Sequence, residues 1–498
     1  MVSEKSPVLP FRKIAIANPD LKQECLMHLL VEEKNMHSNT FFKIVFGAAL
    51  TALLALSAIA EAPKFKDGDR ICFIGDSITH QGGYHTQLLL FYATRFPHMR
   101  LETWNRGFAG DSAAGGVKRY AWDIAPLKPT VATIMLGMND VGRQLYAEDK
   151  SGPQVEAQRR KAIDARNANM GKLAALLAKD GTRIIFITPS LYDQTGNQKS
   201  EKLFGVNDAL KACAEADRKL AAQYQAGLVD FNGPMEAINK AGQVKDPGFT
   251  IVGADRVHPG PVGHLLMTYL FLKEQGVSPT VADMEIDASR SAVLKQGNCE
   301  ISKLSATGGA VSFTCLEKAL PFPVDPTSEK VLKLVPFTKE LNQETLRICG
   351  LPDGGYEVLI DGKPVLKTNA AALKSGINLA IVTNTPQYQQ ALNVCRLITE
   401  RAPIEGRKLR VFAQVKHLFF SDLKERSPEI ERKFLEESLA AMRKTDNVWN
   451  RHRIGVIESY FILIPEKAGL ESKSAELFRE TCTANKPSAH LYVIRPVR

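Results

Sequence analysis

The sequence lacks several common functional motifs, and each absence removes a class of protein. Its eight cysteines form no CxxC pair and no zinc-ligand spacing, so no pattern predicts a zinc site. It contains neither a glycine-rich P-loop nor a GxSxG nucleophile elbow. Internal repeats and low-complexity linkers are also absent. With 498 residues and 44% hydrophobic content, the chain is long enough for two or three folded domains.

The charge pattern gives little support for a polyanionic partner. The formal net charge is +10, and a basic surface attracts nucleic acid, anionic glycan or lipid head groups. However, the lysines and arginines are scattered, and no long basic run is interleaved with aromatic residues. We therefore expect a solvated basic surface and no nucleic-acid partner.

The N-terminal 60 residues contain a candidate export signal. An apolar run of 17 residues, 44–60, follows Lys43 and ends in Ala58-Ile59-Ala60, a small-x-small cleavage site. This length is marginal for spanning a bilayer, so the pattern favours a cleaved signal peptide and no stable membrane insertion afterwards. We expect a periplasmic or extracellular protein. Residues 1–35 are unusual for a signal peptide, and the sequence leaves open whether Met1 or Met36 is the true start.

Export would bring the cysteines into an oxidising compartment, where disulfides can form. Seven of them follow the cleavage site, so at least one mature thiol has no intramolecular partner. The best candidates for a disulfide are Cys299 and Cys315, at the outer ends of a predicted hairpin that turns at 306–310. Cys72 lies inside a short apolar run and is predicted to be a small core residue.

Residues 61–280 alternate short apolar runs with longer helical patterns. Such alternation predicts βαβ units, a parallel sheet and helices on both of its faces. The strands are predicted at 71–74, 101–105, 131–136, 183–188 and 228–231, and the helices at 84–95, 155–179, 201–225 and 261–274.

The composition changes after residue 280. Short β-like runs and turn signals predict a small antiparallel β module at 281–380, and residues 381–498 are predicted to be mainly helical. The end of the chain, 490–497, reads as a strand that returns to the β module. One charged helix carries an apolar face made of Ile430, Phe434, Leu435, Leu439 and Met442.

Four short polar motifs follow predicted strands or precede the last helix of the first region. They are Gly75-Asp76-Ser77, Asn105-Arg106-Gly107-Phe108-Ala109-Gly110-Asp111, Gly137-Met138-Asn139-Asp140 and Asp255-Arg256-Val257-His258-Pro259. In order and spacing they resemble the four blocks of the SGNH or GDSL hydrolase family, over about residues 66–276. The resemblance implies a flavodoxin-like three-layer α/β/α fold and a serine ester hydrolase.

The chemistry of these residues agrees with the resemblance. A serine hydroxyl needs a base to take its proton, and His258 supplies one to Ser77. Asp255 lies three residues before His258, close enough to orient its imidazole. The expected donors to the oxyanion are the backbone N–H groups of Ser77 and Gly110 and the side-chain amide of Asn139. Gly110 is preferred to Gly107 because the family pairs glycine with aspartate here.

Other residues have less specific predictions. His80, Tyr84 and Tyr192 are candidates for substrate binding. Asp76 and Asp140 are expected to fix loops by accepting hydrogen bonds from backbone N–H groups. His264 is expected to be structural, and no metal ligand or cofactor site is predicted.

The sequence thus predicts a secreted carboxylic ester hydrolase that forms an acyl-enzyme and removes O-acetyl groups from an extracellular carbohydrate. A broad short-chain acyl esterase or lipase is the alternative. A further alternative makes residues 281–498 a glycan-binding or surface-interaction module, with Tyr356, Tyr388 and Trp449 as a sugar platform or as core residues. The acyl group, the alcohol and the oligomeric state are left open.

Overall fold

Five parallel strands form the central sheet of the first region. The computed structural model describes residues 61–420, 423, 425–445 and 447–497, so the proposed signal segment lies outside the described residues. The strands are β1 (Arg70–Gly75), β2 (Glu102–Gly107), β3 (Val131–Met135), β4 (Arg183–Ile187) and β5 (Gly227–Val229). Their order is β2-β1-β3-β4-β5, and every pairing is parallel. This is the flavodoxin-like order, as the resemblance implied.

Seven helices accompany this sheet. They are α1 (Ser77–Gln81), α2 (Gly83–Arg95), α3 (Ala113–Arg119), α4 (Pro153–Lys179), α5 (Val206–Tyr224), α6 (Asn232–Lys245) and α7 (Pro261–Glu274). Alternate residues of β1 face opposite sides, because successive side chains of a strand point in opposite directions. Ile71 and Phe73 share a core with α2 and α7, and Cys72 and Ile74 share one with α3 and α4. Helices therefore cover both faces, which makes three layers.

All five predicted strands of the first region are confirmed, but the prediction omitted some of its helices. Helices α1, α3 and α6 were missed, and α5 begins at Val206 rather than near residue 201. Helix α1 has only five residues, and the other two carry residues of poor helix propensity, Gly115 and Gly116 in α3 and Gly233 with Pro234 at the start of α6. Packing against the sheet offsets this weak local preference.

Two β-sheets follow residue 280, and a shared core lies between them. The elements are β6 (Thr280–Asp287), β7 (Ala292–Gly297), β8 (Cys299–Thr307), β9 (Ala310–Glu317), α8 (Phe337–Leu341), β10 (Gln343–Cys349), β11 (Gly355–Ile360), β12 (Lys363–Asn369), α9 (Ala370–Ser375) and β13 (Ile377–Asn378). One sheet has the order β13-β10-β6-β7 and the other has β12-β11-β14-β9-β8, where β14 (Ala489–Pro496) is the returning strand. The prediction of a purely antiparallel module is wrong, since β6 and β10 pair in parallel.

The predicted disulfide is not formed. The hairpin of β8 and β9 turns at Gly308 and Gly309, inside the predicted interval, but Cys299 and Cys315 are free thiols. They are not directly opposite in the ladder, because Cys299 pairs with Glu317 and Cys315 with Ile301. The Sγ atom of Cys299 instead lies 4.0 Å from the carbonyl oxygen of Asp283. Cys72 is fully buried, as predicted.

Five longer helices occupy most of the remaining chain. They are α10 (Pro386–Pro403), α11 (Leu409–Phe419), α12 (Pro428–Met442), α13 (Val448–Leu463) and α14 (Lys467–Ala484). Leu435 and Leu439 of the predicted apolar face are buried, and Phe434 and Met442 pack on the same core, but Ile430 is 39% exposed. None of the described helices is long and apolar enough to cross a bilayer.

The helical region packs directly on the α/β fold. Ala391, Val394 and Ile398 of α10 join the core that contains α2. A π-helical turn, Ile404–Lys408, contacts β2 and α1 near the C-terminal ends of β1 and β2. The C-terminal helices therefore border the sheet edge where the four motifs meet. The domain boundaries at residues 280 and 380 stay a prediction.

Candidate active site

Ser77 stands where β1 ends and α1 begins. Asp76 caps α1, because its carboxylate accepts a hydrogen bond from the N–H of Ile78 at 3.0 Å. This cap fixes the sharp turn from strand to helix. It places the Oγ atom of Ser77 2.7 Å from Nε2 of His258, 181 residues later in the chain.

The loop before α7 completes a serine–histidine–aspartate chain. Nδ1 of His258 lies 2.5 Å from Oδ2 of Asp255, and Oδ1 of Asp255 accepts hydrogen bonds from the N–H groups of Val257 and His258. Burial acts to raise the pKa of Asp255, but these hydrogen bonds prevail and lower it. An ionised Asp255 accepts a hydrogen bond from the N–H at Nδ1 and so keeps the proton on that nitrogen. Nε2 is then free to accept the proton of Ser77.

Arg256 anchors this loop, a role that the sequence reading missed. The side chain is 1% exposed, and its φ of 67° is unusual for a residue other than glycine. Its guanidinium donates to the carbonyl oxygens of Asp193, Gly196, Ser200 and Gln198. The sequence did offer one indication of this role, because Arg256 is a large charged residue between Asp255 and His258. Because Arg256 joins two loops, it fixes the position of His258.

The predicted oxyanion donors lie on the neighbouring strand ends. Ser77 is the first residue of α1, so its N–H has no acceptor within the helix. In the described residues, the N–H of Gly110 also has no backbone acceptor. The Asn139 amide donates one N–H to the carbonyl of Asp111 at 2.9 Å, and its second N–H is available to a ligand. Three donors of this kind can stabilise the tetrahedral intermediate of acyl transfer.

The two glycines of the second motif have different roles. Gly110 has a φ of 76°, a conformation that favours glycine, in the turn after β2. Gly107 instead ends β2 directly beneath α1, where a Cβ atom would lie 2.3 Å from the backbone nitrogen of His80. Gly107 therefore permits close packing, and Gly110 permits the turn that exposes its N–H.

Three aspartates, of which Asp76 and Asp111 are buried, support the loops. Asp140 accepts a hydrogen bond from the N–H of Ala113 at 2.8 Å, so both Asp76 and Asp140 bind backbone N–H groups as expected. Burial raises the pKa of Asp76 to about 7 and that of Asp140 to about 6. Asp111 instead forms a buried ion pair with Arg119, at 2.9 Å. These carboxylates hold the loops that carry the donors.

Two buried arginines, Arg119 and Arg410, donate hydrogen bonds to the backbone of the second motif. Arg119 donates to Asp111, to Asp123 and to the carbonyl of Arg106. Arg410, from α11, also binds Asp123 and donates to the carbonyl of Gly107. The ring of Phe108 lies between these guanidinium groups, 4.7 Å from Cζ of Arg119 and 3.8 Å from Cζ of Arg410. The C-terminal helices therefore contribute to the support of the active-site loop.

The predictions of substrate contact by Tyr84 and Tyr192 are wrong. Tyr84 is fully buried against Phe73 and Phe231, and Tyr192 is 2% exposed, with its hydroxyl bound to the backbone of Glu201 and Leu203. Tyr84 lies at the start of α2 and Tyr192 in the loop after β4, and both rings point into the core. His264 is also buried, where its Nε2 lies 3.2 Å from Gln81, which agrees with a structural role.

His80 lies beneath the C-terminal helices. Burial lowers the pKa of its imidazole to about 4. His80 lines a cavity of about 300 Å³, together with residues that include Asn105, Arg401 and Glu405, but Ser77 and His258 are not part of the lining. Among the described residues, no group of three His, Cys, Asp or Glu side chains is arranged to hold a metal ion.

An open groove adjoins the catalytic loop. It has a volume of about 470 Å³ and is lined by Gln81, Pro259 and Phe322, among others, and by Arg407 from the π-helical turn. Three parts of the chain meet there: the α/β fold, the segment after β9 and the C-terminal helices. A ligand bound next to His258 would thus meet side chains from outside the α/β fold.

Comparisons with known proteins agree with this geometry. Residues 73–266 match the model of the GDSL-like lipase/acylhydrolase family. A gut microbial diltiazem-metabolizing enzyme of known structure is 33% identical, covers 88% of this chain and 100% of its own, and has a TM-score of 0.80. An acetylxylan esterase from Geobacillus stearothermophilus is 25% identical over 231 residues, which are 43% of this chain and 96% of that protein. The chain therefore belongs to the GDSL-like lipase/acylhydrolase family and is an ester hydrolase.

Proposed function

We propose that the protein is a serine esterase that removes O-acetyl groups from a carbohydrate through an acyl-enzyme. The observation that carries the mechanism is the continuous chain from Ser77 Oγ to His258 Nε2 and from His258 Nδ1 to Asp255. The similarity to an acetylxylan esterase supports an acetylated carbohydrate as the substrate. The apolar run at 44–60 supports export, which would bring the enzyme to extracellular glycans.

Acylation begins when Ser77 Oγ attacks the ester carbonyl carbon and its proton passes to His258 Nε2. The carbonyl oxygen becomes an oxyanion that accepts hydrogen bonds from the N–H groups of Ser77 and Gly110 and the Asn139 amide. The intermediate then collapses with cleavage of the bond to the alcohol, which takes the proton from His258. Asp255 stabilises the imidazolium that exists between these two transfers.

Deacylation repeats the sequence with water as the nucleophile. His258 accepts a proton from water, whose oxygen attacks the acetyl group on Ser77, and the same donors bind the second oxyanion. Collapse returns the proton to Ser77 Oγ and releases acetate. No step in this scheme requires a metal or an organic cofactor.

The first experiment is acetate release by the purified full-length protein from a panel of O-acetylated glycans, with p-nitrophenyl acetate and octanoate in parallel. Ser77→Ala is the catalytic control, and labelling by a fluorophosphonate probe reports the activated serine. Release from a glycan by the wild type alone would support the proposal. If neither ester is cleaved and Ser77 resists the probe, the proposed mechanism is wrong.

A broad esterase for small short-chain esters is the second candidate. It is favoured by the similarity to the diltiazem-metabolizing enzyme, whose name indicates activity on a small molecule rather than on a polymer. Activity on p-nitrophenyl acetate and diltiazem, with none on acetylated glycans, would favour this candidate. A preference for the octanoate would instead indicate a lipase-like enzyme.

A further inference from the structure

Trp449, in the first turn of α13, lies against the active-site loop although it belongs to the C-terminal helices. A Cβ atom placed on Gly110 would lie 3.2 Å from Cζ3 and 3.3 Å from Cη2 of the indole ring. These distances place the ring in contact with the residue whose N–H is available to the oxyanion. The other two candidates for a sugar platform are buried, Tyr356 at 2% and Tyr388 at 8% exposure, so for them the alternative of core residues holds.

The indole ring contributes little to the core of its own region. Trp449 is 64% exposed, whereas Val456, Ile457 and Leu463 of the same helix are buried in the local core. A tryptophan side chain offers a large flat apolar surface, and leaving it in water forgoes the favourable free energy of burial. Contact with a ligand therefore explains the exposed position of the indole better than a contribution to folding does.

The start of α13 is fixed by two asparagines that flank Trp449. The Asn447 side chain caps the helix by accepting a hydrogen bond from the N–H of Asn450 at 2.8 Å. The Asn450 amide in turn donates to the carbonyl of Thr445 at 2.9 Å. These contacts restrain the backbone on both sides of Trp449, so the ring is presented from an ordered turn.

The position of the ring defines which part of a substrate can reach it. An oxyanion bound to the N–H of Gly110 would lie about 3 Å from that nitrogen, so the ester group would be next to the indole. An acetyl group has only one carbon beyond its carbonyl and cannot cover an exposed indole face. The alcohol part of the ester can do so if it contains a ring with a flat apolar face.

We infer that Trp449 determines substrate specificity by stacking on a ring in the alcohol part of the acetate ester. This inference rests on the proposed function and deepens it. A pyranose ring and an aromatic ring share the required chemistry, which is a flat face of C–H groups or π electrons. A small acyclic alcohol lacks that face and would gain nothing from Trp449.

The test compares the wild type with Trp449→Ala on three acetate esters. They are a methyl mono-O-acetyl-xylopyranoside, phenyl acetate and ethyl acetate, and the ratio of wild-type to variant kcat/KM cancels their different intrinsic reactivities. We expect a loss of about tenfold on a ring-bearing ester, mainly through KM, and less than about twofold on ethyl acetate. Trp449→Phe should restore part of the loss.

Ile462→Ala is the matched control, because Ile462 is 66% exposed on the same helix and lies more than three turns away. It should leave all three rates unchanged, and labelling of Ser77 by a fluorophosphonate should persist in Trp449→Ala. A loss on the xylopyranoside alone would identify a sugar ring, and a loss on phenyl acetate alone would identify an aromatic ring.

Two results would overturn the inference while leaving the esterase intact. One is an equal loss on all three esters, which would mean that Trp449 only supports the oxyanion loop. The other is an unchanged kcat/KM on every ester. A wild type that cleaves none of the esters and resists the probe would instead refute the proposed function, and the inference with it.

Discussion

Arg410 of the C-terminal helix α11 forms a buried ion pair with Asp123 of the α/β fold, across 287 residues of sequence. Nη2 of Arg410 lies 2.6 Å from Oδ2 of Asp123, and both side chains are almost fully buried. Burial lowers the pKa of Arg410 to about 10, but the group stays charged at neutral pH. The same guanidinium donates to Gly107 at the start of the active-site loop. The C-terminal region is thus joined to the loop that carries Gly110.

Replacing Arg410 by methionine should destabilise the protein and impair turnover. The substitution leaves the carboxylate of Asp123 buried with one charged partner fewer, and breaking such a pair costs about 3–5 kcal/mol. Loss of the bond to Gly107 should also displace the loop and lower kcat. Chemical denaturation and ester hydrolysis measure the two effects. Arg396→Met is the control, since Arg396 pairs with Glu400 on the exposed surface and should cost at most about 1 kcal/mol.

Asn139→Ala should lower kcat by about 10²–10³, because one donor to the oxyanion is lost. The free energy of unfolding should change little more than for the loss of one hydrogen bond, about 1 kcal/mol. Steady-state kinetics on p-nitrophenyl acetate measures the effect. Asn169→Ala is the control, a partly exposed asparagine on α4 whose amide donates to the helix carbonyl of Ala165. A wild-type rate in Asn139→Ala would exclude the amide from the oxyanion hole.

Gly110→Ala should lower the turnover rate by more than its loss of stability can explain. A side chain at a φ of 76° is strained by about 1 kcal/mol, and here the new methyl group would also press on the Trp449 ring. Gly181→Ala is a matched control, since Gly181 has a φ of 72° and no atom within 4 Å of the added Cβ. Both variants should lose similar stability in thermal unfolding, but only Gly110→Ala should lose turnover. Equal activity in the two would contradict the assignment of Gly110.

Asp255→Asn should reduce kcat by about 10²–10⁴ while the fold is retained. The amide cannot stabilise an imidazolium and can reverse the hydrogen bond to Nδ1, which would place the proton on the wrong nitrogen of His258. Pre-steady-state kinetics with p-nitrophenyl acetate should show that acylation slows. Asp246→Asn, in an exposed loop where the carboxylate binds the N–H of Gly248, should remain fully active.

Glu344→Gln should stabilise the protein, increasingly so at higher pH. Glu344 is fully buried, and neither of its carboxyl oxygens has a partner in the described residues. Burial, together with the nearby Glu317, raises the pKa of Glu344 well above its usual value. The folded protein therefore keeps a proton that the unfolded chain loses near pH 4.5.

The sign of the effect follows from this difference in bound protons. The contribution of Glu344 to the stability of the wild type is most favourable below about pH 4.5 and decreases as the pH rises toward the pKa of the folded state. Each unit of raised pKa costs about 1.4 kcal/mol, which glutamine avoids because it carries no titrating proton. Thermal unfolding of both proteins between pH 4 and pH 8 should give a difference in Tm that grows with pH. Glu437→Gln, on the exposed side of α12, should show no such trend.

Local sequence patterns determined the central sheet and the residues at its edge. Buried parallel strands read as short apolar runs, so all five were placed, and their carboxyl ends necessarily meet at one edge. The order of these strand ends, together with the resemblance to the SGNH or GDSL hydrolase family, is the basis on which Ser77, Gly110 and Asn139 were predicted. The pair of Asp255 and His258 was also predictable, because three residues in one loop suffice to join them.

Contacts between distant segments could not be predicted in this way. The sequence around Arg410 does not indicate that its guanidinium would be buried against Asp123 and the carbonyl of Gly107. The sequence also could not predict that the side chains of Tyr84, at the start of α2, and Tyr192, in the loop after β4, point into the core.

Apolar periodicity therefore indicated the fold class, and the resemblance of four short motifs to the SGNH or GDSL hydrolase family indicated Ser77, His258 and Asp255. The tertiary structure was needed to show what surrounds these residues: the arginines that hold the loops, the parallel pairing of β6 with β10, and the contact of Trp449 with Gly110. These contacts depend on packing between segments that lie tens to hundreds of residues apart. Their free energy comes from burial in the assembled core, which no local pattern specifies.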